Sequence, residues 1–403
     1  MLIALRIVVA AVCVSVSTSH VRAADSDGWR DLQKRANDLS RQGKRDLAMQ
    51  MAKAALALAE QNPGPDHPDV AAALDTVAMF YAFQQKYTEA RPLLERALAI
   101  RERALGPDHV SVADTLETLG RDLSNQRNFS QAVQLFQRAL VIREKAPEIR
   151  PEIRQERIAH TLGSLGTAYA GLGRAAEAEA AFKRSISLYE GMSGGRHTGM
   201  PWLLGQLADL YRRQGRLAEA SALNARELEA RKDAFARNPD DFVSRMNLSS
   251  TLMRQGRYTE AESMYREDLV RAEKTFGPDH PRVGDELGKL ISLYRIARRQ
   301  ADEEILQQRR LAIYKKAYGP DDPNMAHALG GMAGLRIQQN RHADAEPYLL
   351  RALAIREKTH GPDDPQVGSL LQHLSDLYMQ MGRMEDSWRY AARAAKIKKS
   401  SSK

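Results

Sequence analysis

The sequence predicts an all-α solenoid of stacked helical hairpins, and three observations carry that expectation. Gly64-Pro65 returns as Gly106-Pro107, and Gly277-Pro278 returns as Gly319-Pro320 and Gly361-Pro362, a step of 42 residues each time. Such a step belongs to a repeat array, not to one globular core. Within one repeat, Leu74, Val77, Ala78 and Tyr81 follow i, i+3, i+4, i+7 and make one apolar helical stripe, while Ala90, Leu94 and Ala97 make a second. The chain is 43% hydrophobic but only 6% aromatic, with helix formers dominant, which supplies helix packing and little for a sheet.

From the amino end, Arg6 and the free amine precede an apolar run, Ile7 to Val16, and Val21-Arg22-Ala23 closes the segment. This reads as a secretory signal, residues 1–23, cleaved after Ala23; an uncleaved membrane anchor is the alternative. Cys13 is the only cysteine, so the mature chain has neither disulfide nor thiol chemistry. The expected location is outside the cytoplasm, in the periplasm.

Each repeat then explains itself. In Gly64 to Asp69, the Gly-Pro pair stops the preceding helix and Asp66-His67-Pro68-Asp69 opens the next, giving a cap, a first-turn proline and an acid near the positive helix end. Small residues at Ala78, Ala90 and Ala97 let the two helix axes approach. His67, His109 and His280 occupy equivalent linkers, so they read as caps and not as a converging metal site. Anchored on the leucine of the first helix, repeats start near residues 29, 71, 113, 159, 201, 242, 284, 326 and 368, with Arg245 replacing the leucine once.

The pattern Leu74, Val77, Ala78, Tyr81, Ala90, Leu94, Ala97 resembles the tetratricopeptide repeat, and the GPDHP linker with RALAIRE resembles its longer form in kinesin light chains and many bacterial proteins. The resemblance covers nearly all of the mature chain. It implies a right-handed superhelical solenoid of about nine hairpins whose first helices line a groove for extended or helical peptide segments. In kinesin-light-chain-like repeats, asparagines at the fifth and sixth positions grip the peptide backbone. Here those positions read Asp75-Thr76, Glu117-Thr118, Gly163-Ser164, Gly205-Gln206, Met246-Asn247, Gly288-Lys289, Gly330-Gly331 and Gln372-His373. Only Asn247 keeps the asparagine, so the cargo type does not transfer.

Irregularities mark the chain further on. Pro147-Glu148-Ile149-Arg150 is followed by an identical Pro151-Glu152-Ile153-Arg154, a duplication read as a lengthened surface linker. Asn224 and Glu227, and later Glu303, Gln307 and Arg310, stand where a second helix should be apolar or small. Either those hairpins pack loosely, which is the expectation, or the polar groups meet a partner. The Gly191 to Pro201 segment divides the array into blocks 24–190 and 191–398 and is its expected hinge. Residues 399–403 form a short basic tail.

Formal charge is +9, and removing Arg6 and Arg22 with the leader leaves about +7. Acids and bases interleave, as in Arg91, Glu95, Arg96, Arg101, Glu102 and Arg103, which reads as a solvated face with i,i+4 pairing and not as a nucleic-acid stripe. No metalloprotease, hydrolase, phosphate-loop or dinucleotide motif is present, so neither enzyme nor cofactor is expected. Asp75, Asp114 and Glu117 mark an acidic first third of the groove; Arg212, Arg213, Asn247, Arg254, Lys289 and Arg295 mark a basic middle suited to an acidic or chain-terminal carboxylate segment. The function expected is a non-catalytic scaffold that binds another protein. An enzyme-associated regulatory subunit, a self-associating structural protein and a nucleic-acid-binding array are the alternatives.

Overall fold

The computed structural model describes residues 28–41, 44–62, 64–146, 150–193 and 197–401. The leader (1–23) lies outside them, as do 147–149 of the duplication, 194–196 of the glycine-rich segment and 402–403 of the tail. The described residues form eighteen helices and no strand. In order they are α1 (Gly28–Arg41), α2 (Arg45–Gln61), α3 (Pro68–Phe83), α4 (Tyr87–Leu105), α5 (Val110–Asn125), α6 (Phe129–Lys145), α7 (Pro151–Gly171), α8 (Ala175–Ser193) and α9 (Met200–Arg213). Then come α10 (Leu217–Arg237), α11 (Phe242–Arg254), α12 (Tyr258–Phe276), α13 (Pro281–Ile296), α14 (Gln300–Tyr318), α15 (Pro323–Gln338), α16 (His342–His360), α17 (Pro365–Gln380) and α18 (Met384–Ser401). Every repeat start read from the leucine register falls on an odd-numbered helix. The described residues form two compact units, divided between 230 and 231, inside α10.

Within each unit, from α1 to α9 and from α11 to α18, every even-numbered helix packs on the odd one before it and, α18 apart, on the odd one after it. Leu74, Leu94, Leu116, Leu204, Leu287 and Leu371 are all buried, and so are Ala78, Ala90 and Ala97. Where still closer approach is needed the small residue is glycine: a Cβ on Gly120 would lie 2.6 Å from the Phe136 ring, and one on Gly166 would lie 2.7 Å from Phe182. The linkers are capped as their residues require. The ring nitrogens of His67, His109 and His280 accept from the backbone N–H two residues on, at 3.2 Å each, and Asp322 and Asp364 do the same for α15 and α17 at 2.8 and 2.7 Å. Gly106, Gly277, Gly319 and Gly361 close the preceding helices with φ between 84° and 90°.

Three expectations are corrected. The second copy of the duplication is not linker: Pro151 opens α7, which runs 21 residues against 16 for α3. The interleaved charges pair mainly across repeats. Arg96 holds Glu60 at 2.5 Å, and Arg138, Arg226, Arg309 and Arg393 likewise hold Glu102, Glu190, Glu273 and Glu357, each 36 residues back, at 2.5–2.6 Å. Finally, the polar second-helix residues are not tilted outward. Glu227, Glu303 and Gln307 are all at most 1% exposed, and Glu303 takes Arg295 at 2.7 Å. Arg245, in a leucine position, is buried too, with Asp268 at 2.6 Å.

A tyrosine latch recurs at the seams. Tyr211, Tyr294 and Tyr378, on first helices, donate to Glu179, Glu262 and Glu346 of the preceding second helix at 2.8, 2.8 and 2.6 Å. Arg216, Arg299 and Arg383 lie over those rings at 3.6, 4.3 and 4.3 Å and bind the same carboxylates. In the repeat that starts at 326, Arg336 replaces the tyrosine and binds Glu304 directly at 2.7 Å.

A second internal network joins α3 to α7. Arg101 pairs with Asp75 at 2.6 Å and donates to Thr115 of the next repeat. One repeat later, Arg143 pairs with Glu117 and donates to Thr161, while Asp114 takes Arg143 at 2.8 Å and Arg157 at 2.9 Å. Burial alone would raise the Glu117 carboxyl, but its His160 hydrogen bond and the Arg143 charge outweigh this and hold it at about 2. Asp75 is raised, because burial there outweighs Arg101.

Two measurements follow from these seams. Tyr294→Phe removes one donor to a carboxylate that keeps its arginine, and should lower stability by about 1 kcal/mol, read as a fall in the thermal midpoint. Glu117→Gln should cost on the order of 3 kcal/mol at neutral pH. Because the folded carboxyl sits at about 2 against an ordinary 4.5, its contribution is complete above 4.5 and disappears as pH falls toward 2. The gap in midpoint between variant and wild type should therefore narrow from pH 7 to pH 3.

Candidate functional site

The odd-numbered helices carry the second, fifth, sixth, ninth, twelfth and thirteenth positions of each repeat, and recesses open among them in both units. In the N-terminal unit a recess of about 400 Å³ is lined by Phe136, His160, Gly163, Tyr189, Trp202 and Leu203. A Cβ on Gly163 would come within 2.9 Å of Leu203 and 3.1 Å of Trp202, so glycine is what lets both side chains lie against α7. Trp202 remains 43% exposed, an unusual state for so large an apolar side chain. Tyr189 is buried and stacks on His197 with centroids 4.1 Å apart; burial first, then Glu156 and Glu117, push its hydroxyl up to about 12. A second recess of about 720 Å³ shares His160 and reaches Asp114, Glu117, Arg121, Arg143 and Arg157.

In the C-terminal unit a recess of about 620 Å³ lies among α13, α14, α15, α16 and α17 and is predominantly cationic, with Lys289, Arg295, Arg310, His327 and Arg356 in its lining and His373 of α17 beside them. From α14 it takes Gln307 and Arg310, which stand in one polar stripe with Glu303 and Tyr314. Tyr314 donates to Asp285, the one carboxylate of the lining, at 2.9 Å, and Arg310 lies over the Tyr314 ring at 5.1 Å. Lys289 is held by Glu286 at 2.7 Å. Burial, then Arg310, Arg356 and Arg295, keep the His327 imidazole below its ordinary range.

The residues named from the sequence fall into separate places. Asp114 and Glu117 share a recess, but both are tied to arginines of the fold, and Asp75 belongs to the separate Arg101 pair. Lys289 and Arg295 share the C-terminal recess, each with a carboxylate already bound. Arg212, with Asp209 at 3.0 Å, and Arg213 belong to the N-terminal unit and are exposed. Asn247 is half-buried and Arg254 exposed, both in the C-terminal unit. None of these last four lines the recesses described. Trp202, His160, His327 and Arg356 were not singled out from the sequence. Comparing each first helix with its own second helix, position by position, would have drawn attention to Arg356.

Among the described residues no cluster of histidine, cysteine and carboxylate side chains could hold a metal ion, and no helix is long and apolar enough to cross a membrane. No curated protein matches the chain. Solved structures with a similar fold include a putative kinesin light chain of Podosopora anserina with nearly identical TPR-like repeats, at 20% identity over 53% of this chain and 99% of that one, TM-score 0.45. Pseudomonas aeruginosa pilF is similar at 16% identity over 62% of this chain and 93% of its own, TM-score 0.39, and BtubC of P. vanneervenii at 14% over 70% and 93%, TM-score 0.33. One family model described as tetratricopeptide repeat matches residues 70–145, 157–233, 304–358 and 324–400, and a second with the same description matches 32–69 and 243–282. These matches take in well over half the sequence at the 42-residue step of the helical hairpins, and the chain belongs to the tetratricopeptide repeat family.

Proposed function

We propose that the protein is a non-catalytic interaction scaffold that takes an extended or helical segment of a partner protein along its first helices. The observation that carries this reading is Trp202: an indole 43% exposed on a first helix, beside a recess of about 400 Å³ whose walls are largely apolar. Aromatic anchors set in a pocket dominate the energetics of most protein interfaces, because they bury much area at little cost in rotamer freedom. The matching guest carries a large apolar side chain to fill the recess. Exposed Arg212 and Arg213 of the same unit favour a guest that is acidic elsewhere.

The recesses also weigh against catalysis. The Asp114 and Glu117 carboxylates of the larger N-terminal recess already form ion pairs with arginines of the fold, which commits them to structure rather than to a reacting group. Export, with removal of residues 1–23, is part of the same proposal and rests on the leader sequence.

Panning a displayed peptide library on the chain lacking residues 1–23 tests the reading. Selected peptides should contain a large apolar residue, and Trp202→Ala should weaken them by about 2 kcal/mol in a titration run well below the variant's own thermal midpoint. The double variant Arg212→Glu, Arg213→Glu should weaken the acidic peptides among them. Failure to select any peptide, or peptides indifferent to Trp202→Ala, would overturn the proposal.

A further inference from the structure

In two repeats the fifth position of the first helix and the thirty-first position of the same repeat form an internal ion pair, Asp75 with Arg101 and Glu117 with Arg143. In the repeat that starts at 326 the corresponding residues are Gly330 and Arg356. The cation is kept and the carboxylate is gone. The Arg356 guanidinium has no hydrogen-bond or ion-pair partner among the described residues, and a Cβ on Gly330 would meet nothing within 4 Å. Gly163 and Gly288 make the same change at the fifth position, but opposite them stand Tyr189 and Tyr314, which leave no charge unanswered. Arg231, behind Gly205, has a partner of its own.

The surroundings are fitted to the missing group. Arg310 enters the same recess because position five of its own repeat is Gly288, whose Cβ would stand 3.3 Å from the guanidinium carbon. Arg310 is bound to a tyrosine hydroxyl, at 3.3 Å, and to no carboxylate among the described residues. Gln307, 1% exposed, fits only because position six of the next repeat is Gly331, where a Cβ would meet the amide nitrogen at 2.5 Å. Its Oε1 is buried without a partner and, as an acceptor, takes no part in binding an anion; the cationic side of the recess is supplied by the two arginines. Thus α14, which should bury an alanine-leucine-alanine stripe here, instead carries Glu303, Gln307 and Arg310, and glycines on the facing first helices make room for two of the three.

We propose that this recess seats a carboxylate supplied from outside the chain, an Asp or Glu side chain or the chain end of the guest polypeptide, held by Arg356 and Arg310 where Asp75 and Glu117 sit in their own repeats. That the guest is a polypeptide rests on the groove reading above; the carboxylate seat itself does not. Two guanidinium forks with no internal carboxylate provide the charge-assisted contacts that such a group needs.

The probe is glutarate, titrated into the chain lacking residues 1–23 while the imidazole signals of ¹³C-labelled histidine are followed, with sodium chloride at matched ionic strength and inorganic phosphate as parallel arms. His327 should shift saturably with glutarate and not with chloride. Arg356→Gln should weaken glutarate at least tenfold and leave the thermal midpoint where it was, since no internal partner is lost. Gly330→Glu should supply the missing group in place, raising the midpoint by a few degrees and abolishing the response, whereas Gly330→Gln should not raise it. The carboxylate seat is overturned by no saturable shift, by a shift with phosphate and none with glutarate, or by equal glutarate binding in Arg356→Gln. Groove-selected peptides that lose at least tenfold on Arg356→Gln support the polypeptide occupant; peptides indifferent to that change overturn the occupant, while groove binding is judged separately at Trp202.

Discussion

Within each unit the second helices α2, α4, α6 and α8, and α12, α14 and α16, are each shared between two first helices, their own and the next repeat's, and whatever stands on their inner stripe must suit both. Alanine and leucine satisfy that condition at α4 and α16, where Ala90, Leu94, Ala345 and Leu349 are all buried. A phenyl ring satisfies it at α6 and α8 only because Gly120 and Gly166 withdraw their side chains. At α14 the stripe is polar, and its fit is kept by Arg295, Gly288 and Gly331. A change on one helix is answered on a neighbour, as close packing demands. The hydrophobic term supplies cohesion, but this mutual fit sets which face each helix presents and so where the recesses open.

Charge is handled by the same rule. The latches at Glu179, Glu262 and Glu346 and the internal pairs at Asp75 and Glu117 take up carboxylates that border the first-helix face. The net charge of +9 is thus a poor guide to any one surface. What matters locally is which cations keep no internal carboxylate, and in the C-terminal recess these are Arg310 and Arg356. Nucleic-acid binding would ask instead for a continuous basic face, which the seam pairing of Arg96, Arg138, Arg309 and Arg393 breaks up.

Much of the fold was legible in the sequence because its signals are periodic. The Gly-Pro step and the leucine register placed every first helix, and the linker histidines announced their capping role. Tertiary pairing was not legible in the same way. Glu117 and Arg143 are 26 residues apart, and Tyr294 and Glu262 are 32 apart, so no local pattern joins them. Reading Asp75, Asp114 and Glu117 as an acidic groove wall treated exposure as a property of helical position, whereas a long arginine on the adjacent helix decides it. The polar stripe at Glu303, Gln307 and Arg310 was visible as an anomaly. Sequence alone makes it look like loose packing, because the compensating glycines lie on two different helices, one of them in the following repeat.

The lengthening of α7 shows where this architecture has slack. Arg184 reaches back to Glu144 across 40 residues, four more than its counterparts elsewhere, and still holds it at 2.6 Å. The extra residues went into the opening turn of a first helix without disturbing the seam beneath. That rim is therefore the place where segments can be grafted into such an array, or acquired by it in evolution, while its side-to-side stitching stays in step.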